Sequence, residues 1–340
     1  MIFLHIPENY LSPSTCAVMG AVMLPVWRMA LQKVKAEIPK EQLPLLGIGA
    51  AFSFLSMMFN VPLPGGTTGH AVGGTLLAVL FGPGAACLAI TVALFIQAVF
   101  FGDGGILAFG ANCFNMAFVL PFTGYFVYKQ IKKRVSSERG EYLAIAIGSY
   151  IGINAAAFCA AVEFGIQPIF FHNAAGQAIY CPYTLSISIP AMMIGHLTLF
   201  GLAEVVFTTA IYGYLKKTSA GLFLEHKGKG NFSLYGLLTV LILATPIGLL
   251  ADGTAWGEWA PEEIVKVAHN GANLGYIPSG LENGSSFEAF FPDYTVGTLP
   301  DLFGYILSAV IGTALLIIIF KVLSSFVKDK VNYGKSSGGV

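Results

Sequence analysis

A chain of 340 residues, 55% hydrophobic and only 11% charged, with a mean hydropathy of +0.72, lacks the polar surface of a water-soluble domain, where about 25% of residues are charged. The net charge is zero, so no basic face suggests nucleic acid and no acidic tail suggests disorder. Cys16, Cys87, Cys113, Cys159 and Cys181 are scattered without a CxxC pair, which argues against a disulfide framework or a cysteine zinc site.

A helix needs roughly 20 apolar residues to cross a bilayer. The apolar runs predict spans at 11–32, 43–59, 69–82, 84–101, 109–128, 142–164, 187–215, 232–251 and 302–320. The last two are the clearest, since neither contains a charged residue. The runs are continuous rather than alternating, which excludes a closed barrel. The stretch 69–101 carries Gly82-Pro83-Gly84 and reads either as one kinked helix or as two short ones joined by a turn. Charge decides between them. With two segments the chain has about nine spans and an outer N-terminus. Arg28, Lys33, Lys35 and Lys40 then fall inside, as do Lys129, Lys132, Lys133, Arg134 and Arg139. So do Lys216, Lys217, Lys227, Lys229, Lys321, Lys328, Lys330 and Lys335, which makes 17 of the 18 basic residues. Only Lys266 lies outside. Positive residues favour the cytoplasmic side, and a single crossing would destroy the agreement.

Residues 1–215 read as one seven-helix unit and 216–230 as a basic cytoplasmic linker. Residues 231–340 read as a two-helix unit with an acidic outer segment, Asp252–Asp301. That segment sets eight Asp and Glu residues against the lone Lys266. It reads either as a solvated loop or as an outward element that attracts cations or gates a site. Small residues such as Gly47, Gly49, Gly69 and Gly73 let helices approach closely in lipid, for internal packing or for a membrane partner.

No GxxxxGK[ST], HExxH or GxSxG occurs, so the chain has no P-loop for ATP and no recognisable catalytic constellation. Transport energy would come from another chain or from an ion gradient. Of the six histidines, His226 falls in the basic linker and His269 in the outer segment, where both read as solvated. His172 lies in the loop after span six and reads as structural or as part of a lid. His196 sits inside span seven, where an ionisable group is costly; it is either a hydrogen-bonded core residue or functional. One reading joins Glu163, His196 and Glu204 into the proton path of a secondary transporter or channel for an organic solute. His5 and His70 both lie at outer ends of spans, where an incoming ion would arrive.

Three runs carry a resemblance. They are His5-Ile-Pro-Glu-Asn-Tyr-Leu-Ser-Pro-Ser-Thr-Cys16, Met58-Phe-Asn60-Val-Pro-Leu-Pro-Gly-Gly-Thr-Thr-Gly-His70, and Phe101-Gly-Asp103-Gly-Gly-Ile-Leu-Ala-Phe-Gly-Ala-Asn112-Cys-Phe-Asn115-Met. Together they resemble the CbiM/NikM family, the substrate-specific membrane components of nickel and cobalt energy-coupling factor transporters. The likeness runs from His5 to about Leu215, and the last two spans with their acidic loop resemble the small N component, here fused. It implies an all-α, multi-pass protein of the inner (plasma) membrane. Such a protein is not an enzyme; it captures Ni(II) or Co(II) and works with a transmembrane coupling (T/Q) protein and ATPase (A/O) subunits.

Family members begin Met-His and hold the metal through the terminal amine, the histidine amide nitrogen, its imidazole and a second histidine. Amine, amide and Nδ1 form fused chelate rings in one plane, and square-planar nitrogen suits Ni(II). By this likeness the ligands are the amine of residue 4, His5 and His70, with Asn60, Thr67, Thr68, Asn112 and Asn115 supporting them or their loops. Here Met-Ile-Phe-Leu precedes His5, too far for the first amine to chelate. The expectation is that translation starts at Leu4, from a UUG or CUG codon read as methionine. If the three extra residues are kept, the site is altered.

Overall fold

The computed structural model describes residues 5–63, 67–218, 231–251, 259–266, 268–269 and 272–326. The apolar runs are helices. Ser12 opens α1 (Pro13–Glu37): its hydroxyl accepts from the Thr15 amide at 3.1 Å, and Pro13 sits in the first turn, where an N–H has no helical partner. Then come α2 (Leu43–Met57), α3 (Gly74–Phe81) and α4 (Pro83–Ile96), which continues through a π turn over Gln97–Phe101. Helix α5 starts at Phe109–Asn112, widens over Cys113–Val119 and ends as Leu120–Lys132. Ser137 caps α6 (Glu138–Gly165) by accepting from the Gly140 amide. Helix α7 joins Leu185–Gly195, a π turn His196–Phe200 and Gly201–Thr218. Asn231–Ala244, prolonged by Thr245–Leu250, forms α8, and Asp301–Phe326 forms α9.

Among the described residues six helices are long and apolar enough to cross a membrane: Pro13–Glu37, Pro83–Phe101, Glu138–Phe170, Leu185–Thr218, Ser233–Leu250 and Asp301–Phe326. Val18, Leu24, Phe126, Leu202, Val206, Val240 and Leu243 are exposed on the bundle, a pattern that suits lipid and not water. The chain is a multi-pass, all-α membrane protein.

One expected span differs. Residues 69–101 do form two segments that turn at Gly82-Pro83, but the first helix starts at Gly74 instead of 69. It has eight residues, about 12 Å of helix. Ahead of it the antiparallel strands Val61–Leu63 and Thr67–Gly69 form a hairpin, and His70–Gly73 follows without helical structure. Gly73 takes a left-handed conformation, φ 72°, which no helix can continue through.

The bundle has two chemically distinct ends. At one, Lys216 bridges Glu138 and Glu141, and Lys132 also meets Glu141. At the other, the N-terminal segment and the loop 171–184 interlock with residues around Trp259 and Gly280. There the Cys181 amide donates to the Tyr10 carbonyl at 3.0 Å, the Gly280 amide to that of Ile179 at 2.7 Å, and Tyr10 Oη to that of Trp259 at 2.7 Å. This sets a topology test. In a cysteine-free background, a membrane-impermeant thiol reagent added outside should label a cysteine at Glu282 and leave one at Lys133 untouched; the reverse pattern would invert the orientation.

Candidate metal site

The N-terminal segment ahead of α1 has no regular structure, yet it is held by side-chain and main-chain hydrogen bonds. Asn112 accepts from the Ile6 amide at 2.7 Å and donates to the Ile6 carbonyl at 3.1 Å, which also accepts from the Gly105 amide at 2.9 Å. A side-chain amide thus holds both polar groups of Ile6 and fixes His5 beside it. Gly104 permits the close approach: its φ is +86°, and a Cβ there would stand 3.0 Å from Asn112 Nδ2 and 3.2 Å from His5 Cβ. Further along, the Ser12 amide donates to Gln167 Oε1 at 3.0 Å.

His5 and His70 meet. Both are buried, and their ring centroids lie 5.4 Å apart at 43°, a spacing compatible with one ion about 2.1 Å from a nitrogen of each ring. His70 emerges from the hairpin, and its Nδ1 lies 3.1 Å from the Ala71 carbonyl. A carbonyl only accepts, so Nδ1 carries the proton and Nε2 the lone pair, as in metal-binding histidines oriented by a backbone oxygen. His5 Nδ1 is hydrogen-bonded to Asp103 Oδ1. The chelate implied by the family likeness uses that same nitrogen, so the ring has to exchange Asp103 for the ion.

Asp103, Gln97 and Tyr294 belong to this site and went unrecognised in the sequence. Asp103 Oδ2 accepts from Gln97 Nε2 at 2.9 Å and from Tyr294 Oη at 2.5 Å. Tyr294 arrives from the segment before α9, stacked on Phe101 at 4.6 Å and packed against Tyr305 at 5.4 Å. Asp293 and Tyr294 are both left-handed, φ 53° and 59°, uncommon for so bulky a residue. Ser308 Oγ donates to the Tyr294 carbonyl at 2.9 Å and holds the turn. Burial, then the Asp103 charge, push the Tyr294 phenol well above its ordinary pKa, so it stays a donor. One signal was available: Asp103 is the only acidic residue between Glu41 and Glu138.

The remaining candidates divide. Asn112 clamps the N-terminal segment, whereas Asn115 turns away and donates to Glu163 Oε2 at 2.8 Å. Asn60 and Thr68 are buried, with no hydrogen bond to their side chains among the described residues. Thr67 opens the second hairpin strand. His196 Nδ1 lies 2.8 Å from the Met192 carbonyl, and Glu204 binds main-chain amides of the His70 segment. No hydrogen bond joins Glu163, His196 and Glu204 among the described residues. His172 sits in the exposed loop, and His269 in a two-residue strand. Leu4 and His226 lie outside the described residues. No three His, Cys, Asp or Glu side chains gather as ligands among the described residues, so two imidazoles need another donor to complete a metal site.

A multi-pass bundle in which a clamped N-terminal segment sets His5 against a buried His70 has the make-up of a membrane component that handles a small cation. Comparison with known proteins agrees. Residues 5–222 match the family model described as cobalt uptake substrate-specific transmembrane region, CbiM, and residues 230–329 match that of the PDGLE domain. The chain belongs to the CbiM family. It is 50% identical to a probable fused nickel transport protein of Lactiplantibacillus plantarum, over 92% of this chain and 95% of that one. It is 43% identical to a fused nickel transport protein of Rhodobacter capsulatus, again over 92% and 95%. A crystal structure of a transition metal transporter superposes with a TM-score of 0.60 at 52% identity, covering 68% of this chain and 99% of the other. These relatives are transport proteins, in keeping with a transporter component and not an enzyme.

Proposed function

We propose that the chain is the ion-capturing subunit of an ATP-driven importer of Ni(II), with Co(II) as the close alternative. The observation that carries this reading is the buried His5–His70 pair, with the N-terminal segment that bears His5 locked in place by Asn112. Nickel is the ion in the names of the two fused relatives above. The four donors are the amine of residue 4 as the initiator, the amide and Nδ1 of His5, and one nitrogen of His70. The His5 ring turns about Cβ–Cγ to load, and Asp103 stays beside it as a counter-charge to the dication. Residues 1–215 capture the ion, 216–230 link on the cytoplasmic side, and 231–340 act as the fused N component. A T/Q coupling protein and A/O ATPase subunits supply the stroke.

This division of labour can be tested directly. The purified single chain should bind stoichiometric nickel or cobalt and show no ATP hydrolysis with or without metal. Coexpression with the coupling and ATPase subunits should give metal-dependent hydrolysis. Metal-stimulated hydrolysis by the single chain would refute the reading.

A further inference from the structure

Glu204 lies in α7, fully buried in the bundle, far along the chain from every residue of the capture site. Its carboxyl group is used only as an acceptor. Oε2 takes the Val72 amide at 2.7 Å and the Gly73 amide at 3.0 Å; Oε1 takes the Gly73 amide at 3.1 Å and the Thr208 hydroxyl at 3.4 Å. Every contact is a donor, the pattern that stabilises the ionised carboxylate. The other side of the same peptide is also held, since Ser53 Oγ donates to the Val72 carbonyl at 2.7 Å. The Val72 and Gly73 amides and the Val72 carbonyl are therefore engaged, although the segment lies in an apolar bundle.

The position matters as much as the bonds. Helix α3 starts at Gly74, so His70 stands at the positive end of a helix, which carries roughly half an elementary charge. An approaching dication would be repelled by that end. An anion on the amides at 72 and 73 offsets it.

We propose that Glu204 is a positioning residue of the capture site: it fixes the main chain that carries His70 and cancels the positive end of α3, making the site receptive to a divalent cation. The proposal rests on His70 being a metal ligand, as argued above. It assigns Glu204 a role other than proton relay.

Size and charge can be separated by two substitutions. Glu204→Gln keeps the volume, loses the charge, and sets an amide NH2 against two backbone donors. Glu204→Asp keeps the charge on a shorter arm. Nickel titration of the purified full chain, with His70→Ala as reference, should show Glu204→Gln weakened roughly 10–100-fold, the range for losing a residue that supports a ligand. Glu204→Asp should recover most of that loss, and the metal-free Glu204→Gln chain should melt below the parent, because two buried amides lose their acceptor, while keeping its helical circular dichroism. If Glu204→Gln binds like the parent, or if Gln is tolerated better than Asp, the residue only fills space and the proposal falls while the site stands. If His70→Ala itself binds like the parent, the site assignment and this proposal fall together.

Discussion

Replacing His70 with Ala is expected to weaken nickel binding by at least the roughly 10–100-fold that loss of a ligand-supporting residue costs, because a direct donor disappears. The helices should survive, since His70 lies in the non-helical segment before α3 and the bonds to Val72 and Gly73 are made through the main chain. Circular dichroism should be unchanged while calorimetric affinity collapses. The same titration should compare the 340-residue chain with one that starts at position 4 as methionine. The longer form places its amine four residues before His5, three too far to chelate, and should be impaired to a similar degree. Metal ligands must be deprotonated, so capture by the shorter form should weaken steadily in acid. Equal affinity of the longer form, the shorter form and the His70→Ala variant would place the metal elsewhere.

Asp103→Asn is the second change with a large expected effect. It removes the charge that faces the His5 ring and should lower affinity roughly 10–100-fold. Tyr294→Phe deletes one hydroxyl and leaves the ring stacked on Phe101. A hydrogen bond to a charged group contributes about 1.5–3 kcal/mol, so the loss should be smaller but measurable. If Tyr294 acts through Asp103, the double variant should bind no worse than Asp103→Asn alone, because groups in one network are not additive. Fully additive losses would mean that Tyr294 reaches the ion by another route.

Much of this architecture is readable along the chain, because membrane spans announce themselves locally. Phe232–Ala251 and Leu302–Phe320 hold no charge, and helices occupy both. The break at His70–Gly73 is harder to read, because it depends on a left-handed Gly73 and on Glu204, a carboxylate from another helix. The family likeness points to His5 and His70 as partners, whereas Asp103 and Tyr294 do not declare themselves. Asp103 lies 98 residues from His5, and Tyr294 a further 191 from Asp103. No spacing rule spans such gaps. Asn115 shows the converse hazard: it shares a motif with Asn112, yet the π turn over Cys113–Val119 directs it to Glu163.

The bond from Tyr294 to Asp103 also bears on dilution. The two residues belong to one polypeptide, so the contact forms within a molecule, at an effective concentration that can reach the millimolar range for a short connection. A separate two-helix partner making the same contact with millimolar affinity would be mostly detached at micromolar protein. In the fused chain the tyrosine accompanies every copy of the site. Occupancy of the contact is then independent of how much protein the membrane holds, and no second gene product has to be matched in number to the first.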